Sequence, residues 1–158
     1  MEEIKGEKPE ERPEPTIDLQ VGAYIPDDYV SDRMLKVNFY QQLSRVVEET
    51  EIDGIRDELR DRFGRLPDPA AVLLDVVSIK RLAGTAGVKS VAVRGEELVI
   101  VYPAGVYPSK KQIAVLTRDP HLPIEFLHAS SFGIRVGLKG LPEVERTRLT
   151  KNILQMLG

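Results

Sequence analysis

Residues 58–74 read ELRDRFGRLPDPAAVLL. The stretch holds the end of one helix, a break and the start of the next, and the rest of the fold is read outward from that corner. Ile52, Ile55, Leu59 and Phe63 recur at spacings of three and four, which predicts an amphipathic helix over Glu51–Phe63. Gly64 is expected to stop it as a left-handed C′ residue. Asp68 is expected to cap, and Pro69 to open, a third helix running to about Ala86, because proline costs little where the N–H is unpaired anyway. Val72, Leu73, Leu74, Val76, Val77, Ile79, Leu82 and Ala83 wrap widely around it. That breadth predicts a central helix, with Gly87 ending it.

Upstream, Ile17, Leu19 and Val21 alternate with polar residues, the period of a half-buried strand. IPDDYVSD at 25–32 reads as a turn into a helix of roughly Asp32–Glu49, with Met34, Leu35, Val37, Phe39, Tyr40, Leu43, Val46 and Val47 as its broad apolar face. Thr50 is expected to cap the helix that follows, with Asp53 completing a capping box. Downstream, SVAVRGEELVIVYP at 90–103 reads as a hairpin around a glycine turn. Ser109 is expected to cap a helix to about Arg118, and LPIEFLHASSFGIRVGL at 122–138 to supply two strands around ASS. Pro142 then opens a last helix to Leu157, with Glu143 and Glu145 where the helix dipole favours acids. The expectation is an α+β fold of order β-ααα-ββαββα, in which an N-terminal strand and three-helix half packs on a small, mostly antiparallel sheet.

Composition narrows the function classes. The 158 residues include no cysteine, which excludes a thiolate nucleophile and a cysteine-based zinc site. No signal peptide or long apolar run is present, so the expected location is cytoplasmic, with no membrane partner. Net charge is −3. Residues 1–15, MEEIKGEKPEERPEP, carry six acids and three bases and are rich in proline, which reads as a flexible linker ahead of a single domain over 16–158. A chain that opens on a linker is expected to be part of something longer. Residues 16–158 carry 19 acids and 19 bases. Without a basic excess, direct DNA contact is not the expected role.

Catalytic patterns are missing. Neither G-x-x-x-x-G-K-[ST] nor G-x-G-x-x-G occurs, so no phosphate-cradling loop or nucleotide cofactor is expected. DRFG at 61–64 lies inside a helix without the glycine-rich loop that kinase chemistry needs. His121 lies in a loop beside Asp119 and Pro120. His128 alternates with Ile124 and Phe126 and is expected to be a half-buried, hydrogen-bonded strand residue. No metal site, no catalytic residue and no cofactor is expected. Lys110 and Lys111, with Arg146, Arg148 and Lys151, form two short basic clusters; they read as solvated helix faces, with phosphate contact as the alternative.

What remains is the outward face of the predicted second helix. At about 100° per residue, the apolar stripe falls within about 60°, Glu58 about 105° from its centre and Asp61 about 165° from it. Glu51, Gly54, Glu58 and Asp61 form a second stripe pointing away from the core. Arg62 can balance Glu58 at i+4, and Arg65 can balance Asp61. Geometry alone leaves two readings open, a solvated face and a partner's landing site.

DLQVGAYIPDDYV, the NFYQQL helix, ELRDRFGRLPDPAAVLL and AGVKSVAV together resemble the C-terminal domain of the bacterial transcription-repair coupling factor (Mfd) family, over about residues 16–158. The most specific part is the RFG-LP-P punctuation combined with IPDDY upstream. The resemblance implies a non-catalytic regulatory domain of an ATP-driven DNA translocase that dislodges stalled RNA polymerase and recruits UvrA for excision repair. It implies autoinhibition, by packing on the N-terminal UvrB-like module and hiding the surface that binds UvrA. It also implies that Glu58 and Asp61 face arginines of that module; Glu51 and Gly54, on the same stripe by helical geometry, are expected on the same interface. The alternative within the same factor is an accessory nucleic-acid contact.

Overall fold

The computed structural model describes residues 14–158. The linker expected over 1–15 therefore lies outside the described residues, apart from Glu14 and Pro15. The elements are β1 (Thr16–Asp18), α1 (Arg33–Ser44), α2 (Glu49–Phe63), α3 (Asp68–Ala86), β2 (Ser90–Arg94), β3 (Glu97–Val101), α4 (Lys110–Leu116), β4 (Ile124–His128), β5 (Phe132–Gly137) and α5 (Glu143–Leu157). This is the expected α+β order. The strands form one five-stranded sheet in the order β1-β2-β3-β5-β4. Only the β1–β2 pair is parallel. The β2–β3 hairpin turns through Gly95 and Glu96, with Gly95 at φ 60°, a value its missing side chain makes accessible.

One face of the sheet is apolar and the other is wet. Val91, Leu98, Ile100, Ile134 and Val136 are fully buried under α3 and α5, joined by Ile79, Ile153, Leu154 and Leu116. Alternation puts charged residues on the opposite face, where Arg94 pairs with Asp18 at 3.0 Å and Arg135 reaches Glu125 at 2.5 Å and Glu97 at 3.7 Å. A second core lies on the far side of α3. There Phe39 and Leu43 of α1 meet Ile52, Ile55 and Leu59 of α2, with Ile25, Val30 and Leu74. The central position expected for α3 is thus correct: it is the shared wall of both cores. Each fully buried Ile or Leu in such a wall contributes about 1.5–3 kcal/mol.

Several local expectations are corrected. α1 ends at Ser44 rather than near Glu49, so Val46 and Val47 lie beyond it. The reason lies in the next cap. The Glu51 carboxylate accepts the Val47 and Glu48 N–H groups at 2.7 and 2.8 Å, so α2 begins behind Glu48, and Thr50 and Asp53 are already inside it. The apolar face of α1 is narrower than its sequence suggests. Only Phe39 and Leu43 are buried, while Met34 is 70% exposed and Val37 also faces solvent. Gly64 does adopt a positive φ of 89°, but with ψ −167°, an extended form rather than the left-handed helical one. Pro67, not Asp68, is the N-cap of α3, and Gly87 ends that helix at φ 74° as expected. His128 is hydrogen-bonded, at 3.0 Å to the Tyr107 hydroxyl, but it is exposed rather than half-buried. β4 is an edge strand of the sheet, paired only with β5 among the described residues.

Candidate functional site

Helix α2 is tied at both ends, which gives its outer face a defined orientation. At the N-terminus the capping box holds Glu48 and Glu51, and the backbone N–H groups on Glu51 keep its carboxyl below the usual glutamate range. At the C-terminus the Tyr29 hydroxyl reaches the Gly64 carbonyl at 2.6 Å and the Leu59 carbonyl at 3.1 Å. It therefore ties the carbonyl of the Gly64 C-cap, and the Leu59 carbonyl of the last turn, to the segment before α1. Burial also raises the Tyr29 pKa, against the opposing charge of Arg60, so the phenol stays a donor. Its ring packs at 5.8 Å on Phe63, which meets Phe39 edge-on at 6.2 Å and carries the Arg62 guanidinium over its face at 5.3 Å. IPDDY and RFG, far apart in the chain, are two halves of one corner.

Between these ends, the side away from Ile52, Ile55 and Leu59 is open. Asp53 pairs with Arg56 at 2.7 Å, Asp57 with Arg60 at 2.5 Å, and Glu58 with Arg62 at 3.1 Å, the last as expected from the i+4 spacing. Asp61 is exposed and makes no ion pair among the described residues; the expected Arg65 partner is not engaged. Gly54 is exposed, and a Cβ added there would meet nothing within 4 Å. Gly54 and Asp61 are exposed, and Glu58, half-buried and paired with Arg62, lies on the same side of the helix. Glu51 does not join them as a free acid, because its carboxylate is spent on the cap. Exposed pairs such as Glu58–Arg62 are worth well under about 1 kcal/mol, so a partner's cation can take either acid at little cost.

The five basic residues do not form one patch. Arg146 donates to the Leu141 and Gly95 carbonyls, both at 2.8 Å, and holds the start of α5 to the β2–β3 hairpin. Lys151 lies 3.3 Å from Glu49 and 3.7 Å from Asp75, and Arg148 approaches Asp75 at 4.0 Å. Lys110 and Lys111 remain exposed in the first turn of α4. Among the described residues no group of His, Asp and Glu is placed to hold a metal ion, and no helix is long and apolar enough to cross a membrane.

Sequence reading missed the ionic network under α2. Glu49 accepts from Ser78 at 2.8 Å and from Arg81 at 3.1 Å, while Asp75 lies 3.8 Å from Arg56. Asp75 is 4% exposed, and its Oδ2 has no hydrogen-bond partner. Burial raises its pKa, against the pull of Lys151, Arg148 and Arg56. Burial also acts to raise the Glu49 pKa, but Ser78, Arg81 and Lys151 outweigh it and the net direction is down. The network ties α2, α3 and α5 together beneath the acidic face. An acid in the middle of VLLDVV at 72–77 was the available signal.

Residues 19–113, more than half of the chain, match the family model described as the TRCF domain. Transcription-repair-coupling factors are among the relatives. That of Rickettsia bellii is 43% identical over 81 residues, covering 51% of this chain and 7% of the relative. That of Staphylococcus epidermidis is 35% identical over 98 residues, covering 62% and 8%, and that of Escherichia coli 36% identical over 73 residues, covering 46% and 6%. The chain thus spans less than a tenth of the length of these relatives. A crystal structure of the C-terminal domain of transcription-repair coupling factor superposes with a TM-score of 0.77 at 20% identity, covering 90% of this chain and 92% of the other. The chain belongs to the TRCF domain family.

Proposed function

We propose that this TRCF domain is a non-catalytic regulatory module, and that the outer face of α2 is its latch onto the UvrB-like module of the same factor. Glu58 and Asp61 are the polar contacts, with Gly54 giving the partner room to approach. In the latched state the UvrB-like module cannot present its surface to UvrA. Engagement of the factor with stalled RNA polymerase releases it. The observation that carries this reading is the outward acidic pair on a helix held firmly at both ends. Asp61 has no partner among the described residues, and Glu58 has only an exposed Arg62.

A charge-paired latch suits a releasable clamp. Complementary charges set register and exclude wrong partners, while the modest net energy leaves the contact reversible. Engagement of Arg146 and Lys151 inside the fold weakens the competing reading, a phosphate-binding surface built from the five basic residues.

The test is Glu58→Ala with Asp61→Ala, made in the full-length factor and in this chain. Neither acid supports the core, so the chain's melting temperature should stay nearly unchanged. Capture of the chain by a separately expressed UvrB-like module should fall about tenfold or more, since truncating a paired interfacial charge costs about 2–5 kcal/mol. UvrA binding by the full-length factor should rise. Unchanged UvrA binding and unchanged capture in the double variant would sink the proposal.

A further inference from the structure

Two arginines border the acids on the outer side of α2. At about 100° per residue, Glu58, Gly54, Asp61 and Asp57 stand at about 105°, 145°, 165° and 205° from the centre of the buried stripe. Arg62 stands at about 65°, between the buried stripe and Glu58, and Arg60 at about 265°, on the far edge. Each border arginine holds the acid beside it. Arg62 Nη1 lies 3.1 Å from Glu58 Oε2, and Arg60 Nη2 lies 2.5 Å from Asp57 Oδ1. Asp61, between the two pairs, is exposed and makes no ion pair among the described residues.

Arg62 has a second hold besides Glu58. Its guanidinium carbon lies 5.3 Å from the centroid of the Phe63 ring, over the face. That ring is itself fixed, by Tyr29 at 5.8 Å and Phe39 at 6.2 Å. A guanidinium over an aromatic face is attracted by the ring's negative quadrupole, whatever else it touches. Arg62 can therefore lose Glu58 and stay seated on Phe63, one residue away from the acid it left.

For a cationic partner this arrangement is a competition. A cation arriving at Asp61 meets an acid without a resident counter-ion. A cation arriving at Glu58 must displace Arg62, and the like charge of Arg62 repels it as well. When the partner leaves, Arg62 can return from Phe63, so the vacated carboxylate regains a counter-charge at once. We propose that Arg62 is a resident competitor for the latch: it occupies Glu58 in the free domain, lowers the affinity of the latch and eases its release, while Asp61 supplies the anchoring charge. This inference rests on the latch reading of α2 and adds to it the residue that sets its strength.

The experiment titrates capture of the chain by the separately expressed UvrB-like module, and measures UvrA binding by the full-length factor carrying the same changes. Arg62→Met removes the charge but keeps an unbranched stem that can pack on Phe63. Arg62→Gln is the second variant, and because Arg62 is exposed both should fold. Capture should tighten about two- to fivefold, the size of one surface ion pair and one exposed ring contact, and UvrA binding should fall. In a Glu58→Ala background Arg62→Met should leave capture unchanged, because nothing remains to compete for. Asp61→Ala alone should weaken capture more than Glu58→Ala alone. Arg118→Met, an exposed position beyond α4, removes the same charge elsewhere and should leave capture unchanged. Unchanged or weaker capture by both Arg62 variants would overturn the proposal. So would an equal gain in the Glu58→Ala background, an equal gain from Arg118→Met, or a greater loss from Glu58→Ala than from Asp61→Ala. Each of those results leaves the latch itself standing while Glu58→Ala with Asp61→Ala lowers capture. If that double variant is captured like the parent, the latch and its competitor fall together.

Discussion

The Tyr29 hydroxyl donates to the Gly64 carbonyl at 2.6 Å, across a separation of 35 residues. That bond closes the corner at the end of α2 and fixes where Asp61, three residues short of Gly64, is presented. Removing only the hydroxyl, as in Tyr29→Phe, keeps the ring against Phe63 and leaves the Gly64 and Leu59 carbonyls with one donor fewer. Stability should fall by about 1 kcal/mol, the usual worth of one such bond. A urea denaturation midpoint equal to that of the parent would show the corner to be held by packing alone.

Gly64 itself offers a backbone test. At φ 89° and ψ −167° it occupies a region that glycine alone enters readily, while a Cβ there would meet nothing within 4 Å. Gly64→Ala should therefore destabilise through strain alone, by about 1–3 kcal/mol. Thermal or urea unfolding checks the size. No loss would mean that the corner can relax to another conformation.

Gly54 predicts the opposite sign. It lies inside α2 with helical geometry and open space, so Gly54→Ala should stabilise the chain by about 0.5–1 kcal/mol. Gly54→Gln should also fold well, yet its longer side chain stands on the proposed latch and should weaken capture by the UvrB-like module. Equal capture of Gly54→Gln and the parent would remove Gly54 from that interface.

The two acids under α2, half-buried Glu49 and buried Asp75, should show opposite pH signatures. The Glu49 pKa is lowered from 4.5, so the folded state holds its carboxylate more tightly than the unfolded chain does. Its stabilising effect is full above that ordinary value and disappears as pH falls through the lower, folded one. Glu49→Gln should cost stability at neutral pH, and the deficit should close on acidification. Asp75 is raised from 3.8, so its folded form favours the proton, and its ionisation counts against the fold above the raised value. Asp75→Asn should be tolerated at neutral pH and should lose any gain the parent shows as pH drops through that range. Urea titrations of the three proteins at several pH values check both signs; parallel curves would refute the assignment.

Much of the fold was legible because the signals are local. Apolar spacing of three and four marked α2, punctuation by Gly64, Pro67 and Pro69 marked its separation from α3, and alternation around Gly95 marked the hairpin. Those patterns follow from bond geometry within a few residues. Boundaries were less legible where two segments competed. Val46 and Val47 fit the period of α1, but the Glu51 carboxylate claimed the Val47 and Glu48 N–H groups for the next helix.

The candidate site divides along the same line. Helical periodicity alone put Glu58, Asp61 and Gly54 on the side of α2 away from Ile52, Ile55 and Leu59, because that angle depends only on residue number. It also offered Glu51 as a member of the stripe, while the five basic residues read as solvated helix faces with phosphate contact as the alternative. Only the tertiary structure could assign Glu51 to a cap, Arg146 to the Leu141 and Gly95 carbonyls, and Lys151 to two acids on other helices. The same holds for Asp75 beneath α2 and for the edge position of β4. A charge's partners and a strand's neighbours come from chain segments brought together by burial, and no periodicity within one segment records them.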